Sequence, residues 1–216
     1  MSLRKRVMAG EVVLGSMVFE FFSPGMAQIM KRAGCEYVIY DMEHTGLGYE
    51  TVKAQVAACR GIGVAPMARV PRSDSAFLAR ALDIGCEGVM IPMVNTADEA
   101  RAIVDACRYP PVGRRGAAFG FAHDHYEGGS PVDKIKAANK RNLVIAQIET
   151  EHGLANVEDT IAIGPGPAGL YNRAQGAIRT DQQRIGHTGP QNRLVTAIFH
   201  DDRVADHITS LVCCTE

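Results

Sequence analysis

Charge of either sign is not in excess: 23 basic side chains stand against 24 acidic ones over 216 residues, a formal net charge of −1. A general nucleic-acid or polyanion binder needs a basic face, so that class is excluded. No apolar run approaches the ~18 residues of a membrane span. Met1-Ser2-Leu3-Arg4-Lys5-Arg6 is basic, but Glu11 interrupts the apolar stretch behind it, so no secretory signal is read and a cytoplasmic location is expected. The six cysteines form no CxxC pair. Cys35, Cys59, Cys86 and Cys107 each sit among apolar neighbours, as small buried hydrophobes do in a reducing compartment. A Gly-rich phosphate loop after the first strand is also missing, which weakens a nucleotide-binding reading.

What is present suits a soluble globule. The apolar share is 46% and the charged share 22%, enough apolar surface to offset ordering entropy over most of the chain. Helical and strand patterns alternate. A first strand falls near Val12–Val18. Met26, Ile29, Met30 and Ala33 take helical spacing behind Ser23-Pro24, and Tyr37–Tyr40 reads as a short strand. Val52, Val56 and Cys59 stripe the next helix, and Val64–Val70 the next strand. Phe77, Leu78, Ala81 and Leu82 then precede strand-like Val89–Ile91. Thr96-Ala97-Asp98-Glu99 is a capping box. Leu143–Ile148 is a fifth strand, and Leu154, Val157 and Ile161 follow at helical spacing.

Gly34-Cys35-Glu36-Tyr37-Val38-Ile39 is echoed by Gly85-Cys86-Glu87-Gly88-Val89-Met90, 51 positions later. Two βα units of ~25 residues give that spacing, as in a (β/α)8 barrel, with a doubly wound sheet as the competing α/β answer. Continuous apolar strands are those of a parallel sheet buried on both faces. Sixty-seven residues follow Glu149, too few for the remaining units of a full barrel. Composition shifts near Gly164. None of the six lysines lies beyond 163, and Gly164–Pro190 is rich in Gly, Gln, Arg and Thr without a clean period. Residues 1–163 are therefore read as a TIM-type barrel domain, incomplete or altered after its fifth or sixth unit. Residues 164–216 are read as a divergent, poorly ordered tail.

Reactive groups of parallel barrels sit where strands end. Asp41, Glu43 and His44 follow the second strand, Arg69 ends the third, Pro92-Met93 follow the fourth, and Gln147 and Glu149 end the fifth. Singly, each is as readily a helix cap, an ion pair or a hydrogen-bonded histidine. Together they place acids, a base and a fixed cation on one rim, as carbonyl chemistry requires. None of the strands carries a lysine, which disfavours a Schiff-base route.

Tyr40-Asp41-Met42-Glu43-His44 resembles the D-x-E-H signature of the HpcH/HpaI-type metal-dependent 2-keto acid aldolases. Ala68-Arg69-Val70-Pro71, Ile91-Pro92-Met93-Val94, Ala97-Asp98-Glu99-Ala100, Tyr109-Pro110-Pro111-Val112-Gly113, Arg115-Gly116 and Gln147-Ile148-Glu149-Thr150 follow in the family's order. The resemblance covers about residues 10 to 163. It implies a TIM barrel, usually hexameric, that cleaves 4-hydroxy-2-keto acids to pyruvate and an aldehyde. A divalent Mg2+, Mn2+ or Co2+ would chelate the keto acid. By the same resemblance Glu149 is a metal ligand, and His44, oriented by Asp41, is the catalytic acid/base. Arg69 stands beside the keto oxygen. Glu43 belongs around the metal waters, with Gln147 near the substrate. Such a chemistry is coherent, because a divalent Lewis acid and a fixed guanidinium both stabilise an enolate oxygen.

The family's second metal ligand lies in a G-P-x-D-L-S motif. Here the matching stretch reads Gly164-Pro165-Gly166-Pro167-Ala168-Gly169-Leu170, with Pro167 at the aspartate position. Proline ligates no cation. Three readings therefore stay open. One is an active aldolase with the missing ligand supplied elsewhere, Asp159 and Asp181 being conceivable donors. Another is an impaired or non-catalytic relative that binds small keto acids. The last is a generic α/β domain whose rim residues are caps and ion pairs. His123-Asp124-His125-Tyr126, in a Gly-rich stretch, is expected near the active site or a neighbouring subunit. Self-association is expected wherever the shortened barrel exposes an apolar face.

Overall fold

The computed structural model describes residues 1–9, 11–161, 169–171 and 195–200. Five parallel strands lie side by side in chain order: β1 (Gly15–Val18), β2 (Tyr37–Asp41), β3 (Ala65–Arg69), β4 (Gly88–Ile91) and β5 (Leu143–Ile148). Helix α1 (Leu3–Met8) precedes them. Helices α2 (Met26–Arg32), α3 (Tyr49–Cys59), α4 (Ser75–Asp83), α5 (Ala97–Cys107) and α6 (Pro131–Arg141) connect them, and α7 (Glu151–Ala155) and α8 (Val157–Ile161) follow β5.

Alternation along each strand divides the apolar residues between two cores. Val38, Tyr40, Ala68, Val89, Ile91, Val144 and Ala146 face the helices and pack with Val52, Val56, Leu78, Leu82, Ile103 and Val104. The opposite parity, Tyr37, Ile39, Ala65, Met67, Met90, Leu143 and Ile145, faces the inside of the curved sheet. Leu3 and Val7 of α1 plug it from the amino ends of the strands. Both faces are buried, so the strands carry no polar alternation until their last residues.

The helix starts follow local chemistry. Thr96 caps α5 through a complete capping box with Glu99. Ser130 caps α6, with Pro131 in its first turn. Gly88 is required where β4 meets β5: a Cβ there would lie 2.6 Å from the Leu143 carbonyl oxygen and 2.8 Å from Met67 Cε.

Several boundaries differ from the sequence reading. The first strand begins at Gly15, and α2 begins at Met26 behind a turn in which the Ser23 carbonyl accepts the Met26 amide. Helices α1 and α6 were not read from the sequence, because both are short or strongly polar and α6 buries only Ala138. Beyond β5 the parallel order ends. Strand β7 (Val195–His200) pairs antiparallel with β5, Ile145 opposite Ile198, and β6 (Gly169–Tyr171) pairs with β7. An antiparallel partner satisfies the unpaired amides and carbonyls of β5 as well as the sixth parallel strand of a barrel would. The rest of the 164–216 tail lies outside the described residues, as do Pro167 and Asp181. At the other edge, Val12, Leu14 and Phe21 flank β1 with exposed side chains. Among the described residues no helix is long and apolar enough to cross a membrane.

Candidate active site at the carboxyl ends of the strands

Asp41 and Arg69 end neighbouring strands in direct register. Their parity is that of the inner core, so both side chains stand on top of the apolar layer of Ile39 and Met67. Asp41 is fully buried, and its Oδ1 accepts the Arg69 Nε–H at 2.6 Å. The backbone amides of Glu43 and His44 donate to its Oδ1 and Oδ2 at 3.1 and 3.2 Å. Thr45 Oγ1 donates to the Asp41 carbonyl, which folds the chain sharply after β2. Burial pushes the Asp41 carboxyl up, but the guanidinium and the two amides outweigh it and hold the group below the usual carboxylate range.

Arg69 is buried to 7% exposure. Its single Nε–H is taken by Asp41, while its terminal NH2 groups donate to no described residue. Burial lowers its affinity for the proton, and Asp41, Glu43 and Glu149 more than restore it. The Phe19 ring, just past β1, lies 5.9 Å from the guanidinium carbon.

Glu43 Oε2 stands 3.2 Å from Arg69 Nε and 3.6 Å from His44 Nε2. It is nonetheless a buried oxygen without a hydrogen bond, because the one proton on Nε points to Asp41. Burial raises the Glu43 carboxyl above its ordinary value. Arg69 and His44 oppose that rise, and Glu149 and Asp41 add to it. The His44 side chain is 66% exposed. Asp41 meets His44 only through its backbone amide, which corrects the expectation of an Asp41-oriented imidazole: both carboxylate oxygens already serve Arg69 and the chain turn.

Glu149 follows β5 and is exposed. Its Oε1 accepts the Met93 amide at 2.9 Å across the β4–β5 gap, and Met93 adopts φ 57° there. Its charge acts on both Arg69 and Glu43. Gln147, two residues earlier on the inner parity, is buried, and its Oε1 has no donor among the described residues.

The six residues singled out in the sequence thus gather at one end of the sheet. Met93 and Phe19 complete the picture. Met93 was legible as a strand end, whereas its amide contact was not, and Phe19 carried no motif. Asp159 does not join them. It lines a separate cleft with Thr96, Asp98 and Arg101. His123 and His125 also lie elsewhere, at the amino ends of the strands beside Gly85 and Glu87, which overturns the first of the two places expected for them, the active site, and leaves the second, a neighbouring subunit. The loop that carries them is anchored there by Arg60 and Arg141, which bond its Ala122 and His123 carbonyls.

The donors at the rim are the Glu149 carboxylate and the unpartnered oxygens of Glu43 and Gln147. These are hard oxygens, the kind that Mg2+-like cations take together with several waters. Among the described residues no three His, Cys, Asp or Glu side chains converge on one point. The set therefore fits such a cation in kind, with most positions left to water and ligand.

The model of the HpcH/HpaI aldolase/citrate lyase family matches residues 16–170. A 4-hydroxy-2-oxovalerate aldolase of Novosphingobium aromaticivorans is 36% identical over 166 residues, 75% of this chain and 61% of that protein. A hydroxypyruvate/pyruvate aldolase of Roseovarius nubinhibens is 30% identical over 162 residues, 75% of this chain and 62% of that protein. The crystal structure of an HpcH/HpaI aldolase from Desulfitobacterium hafniense superposes with a TM-score of 0.72 at 30% identity, covering 77% of this chain and 67% of that one. The chain thus spans about three-fifths of the length of these curated relatives. The matched span takes in β1 from its second residue, the other four parallel strands and every rim residue described above, and the chain belongs to the HpcH/HpaI aldolase/citrate lyase family.

Proposed function

We propose that this chain is a carbon–carbon lyase of the aldolase kind, which cleaves 4-hydroxy-2-keto acids to pyruvate and an aldehyde. The observation that carries this reading is the Arg69 guanidinium. It is fixed through Nε by a buried carboxylate, and its outer NH2 groups are claimed by no described residue. A keto acid presents a carboxylate and a keto oxygen, and cleavage leaves negative charge on the latter. A cation whose position is set in advance stabilises that developing charge without reorganising.

Asp41 is a positioning residue. It locks Arg69 and ties down the Glu43-His44 turn. In this reading His44, exposed and 3.6 Å from Glu43, would take the 4-hydroxyl proton as the carbon–carbon bond breaks, and Glu43 would steady the imidazolium so formed. Glu149, with Gln147 beside it on β5, would hold a divalent cation such as Mg2+, Mn2+ or Co2+, which supplies Lewis-acid polarisation of the keto group when bound. The side chain of the aldehyde fragment would face outward past Phe19 and Met93, both exposed. The substrates of the relatives, 4-hydroxy-2-oxovalerate and hydroxypyruvate or pyruvate by their names, are of this class.

A second reading, a keto-acid-binding relative without turnover, is favoured by one observation: the described residues hold no convergent trio of ligands. Pyruvate release from a 4-hydroxy-2-keto acid separates the two. The aldolase reading expects release that EDTA abolishes and Mn2+ or Co2+ restores, and that Arg69→Ala lowers at least a hundredfold. Release indifferent to chelation removes the metal. Calorimetric binding of pyruvate with no release favours the second reading.

A further inference from the structure

The loop between β4 and α5 carries a polar side chain that touches none of the rim side chains directly. Asn95 stands two residues past Met93 and is half-buried. Its backbone amide donates to Glu99 Oε2 at 2.7 Å and so joins the start of α5, but any residue except proline would supply that bond. Thr96 already caps the helix. The Asn95 side chain is left for another task.

Both ends of its carboxamide are in use. Nδ2 donates to the Met93 carbonyl at 2.7 Å. Oδ1 accepts the hydroxyl of Thr150, which lies 55 residues further along the chain and next to Glu149. Chemistry fixes which end faces which partner. A backbone carbonyl only accepts, so the amide nitrogen must face Met93. The Thr150 hydroxyl accepts the Gly153 amide at 2.9 Å and gives its own proton to Asn95 Oδ1.

Met93 is thereby held from both sides. Its amide donates to Glu149 Oε1 at 2.9 Å, and its carbonyl accepts from Asn95. Its φ of 57° is left-handed backbone at a residue with a Cβ, which persists only where the surroundings over-determine it. The first turn of α7 closes on the same loop: a Cβ on Gly153 would lie 2.8 Å from the Val94 carbonyl oxygen and 3.2 Å from Asn95 Oδ1. The Glu149 side chain is exposed and accepts no other hydrogen bond among the described residues. Its orientation therefore depends on Met93, and that of Met93 on Asn95.

We propose that Asn95 is a positioning residue for the Glu149 carboxylate, acting through Met93 on one side and Thr150 on the other, and that it thereby raises the affinity of the rim for a divalent cation. This rests on Glu149 being a cation ligand, as in the function proposed above. A carboxylate fixed in advance loses less freedom when it binds. Outer partners that orient a ligand are worth about ten- to a hundredfold in metal affinity. Asn95 acts one residue removed from the carboxylate, so the lower end applies.

The test uses the full chain and Mn2+ alone, with two readouts. One is affinity by calorimetry. The other is the Met93 amide resonance in protein with isotopically labelled methionine, recorded without metal and assigned with Met93→Leu. Wild type is expected to bind Mn2+ saturably. Asn95→Ala is expected to bind about tenfold more weakly, with an unchanged circular dichroism spectrum. Its Met93 amide proton should move upfield, as a weakened bond to a carboxylate requires. Thr150→Val deletes the other partner of the Asn95 side chain and should move both readouts in the same directions, which carries the test if Asn95→Ala does not fold. Asn156→Ala is the control. Asn156 Nδ2 donates to the Asn95 backbone carbonyl at 3.2 Å, so its loss loosens the same loop but spares the Asn95 side chain, and both readouts should keep their wild-type values. The proposal alone is overturned if wild type binds Mn2+ and either Asn95→Ala or Thr150→Val binds it as tightly, or if the Met93 resonance stays in place. It is equally overturned if Asn156→Ala weakens binding as much as Asn95→Ala. If wild type binds no Mn2+, the cation reading of Glu149 falls and takes this proposal with it.

Discussion

The Asp41–Arg69 pair allows a quantitative test of how the rim is held. Replacing Arg69 by methionine keeps most of the side-chain volume but strands a fully buried carboxylate. Breaking a buried pair by removing one partner costs about 3–5 kcal/mol. The lower end applies here, about 3 kcal/mol, because Asp41 keeps the Glu43 and His44 amides as donors. Asp41→Asn strands the guanidinium instead, but Glu43 Oε2 at 3.2 Å remains as a counter-charge, so about 2 kcal/mol is expected. The double variant removes both charges and leaves neither stranded. It should lose clearly less than the sum, with a coupling of about 2 kcal/mol. Urea unfolding followed by far-ultraviolet circular dichroism at neutral pH, on wild type and three variants with equal m values, measures this coupling. Additivity within about 0.5 kcal/mol would falsify the pairing and, with it, the claim that Asp41 sets the position of Arg69.

Three other outcomes follow from the same geometry. Because the folded-state Asp41 carboxyl lies below its unfolded value of ~3.9, its contribution is full above that value and is lost as pH falls through the lowered one. Glu43, raised by burial, runs the other way, its contribution being full below ~4.3 and lost as pH rises through the raised value. Arg69→Met removes what depresses Asp41, so its acid unfolding midpoint at fixed urea should move to higher pH, and an unmoved midpoint contradicts the assignment. Glu149→Gln keeps an oxygen for the Met93 amide and so should fold normally, yet bind Mn2+ at least tenfold more weakly by calorimetry; equal affinity would remove Glu149 as a ligand. Gly88→Ala forces a Cβ against the Leu143 carbonyl and should cost on the order of 2–3 kcal/mol in urea unfolding. A cost under about 0.5 kcal/mol would mean that β4 and β5 can part at that point.

Apart from α1 and α6, the alternation of helices and strands to Ile161 could be read along the chain because it is local. Short apolar runs followed by amphipathic stripes report burial on both faces of a parallel sheet, and Thr96 to Glu99 states a helix start in four residues. The strand-end positions of Asp41, Arg69, Gln147 and Glu149 followed from the same count, so their gathering on one rim was legible too. Side-chain partners were not, since they depend on which oxygens are already used. Nothing along the chain says that Asp41 spends itself on Arg69 and two amides, leaving the His44 imidazole to Glu43. Nor does it say that His123 and His125 lie at the far end of the strands, because a loop between α5 and α6 can close over either end. Arg60 and Arg141, distant in sequence, pin that loop beside Glu87. The chain order carried the architecture through period and parity; charge partners came only from packing, which brings together groups that sequence separation keeps apart.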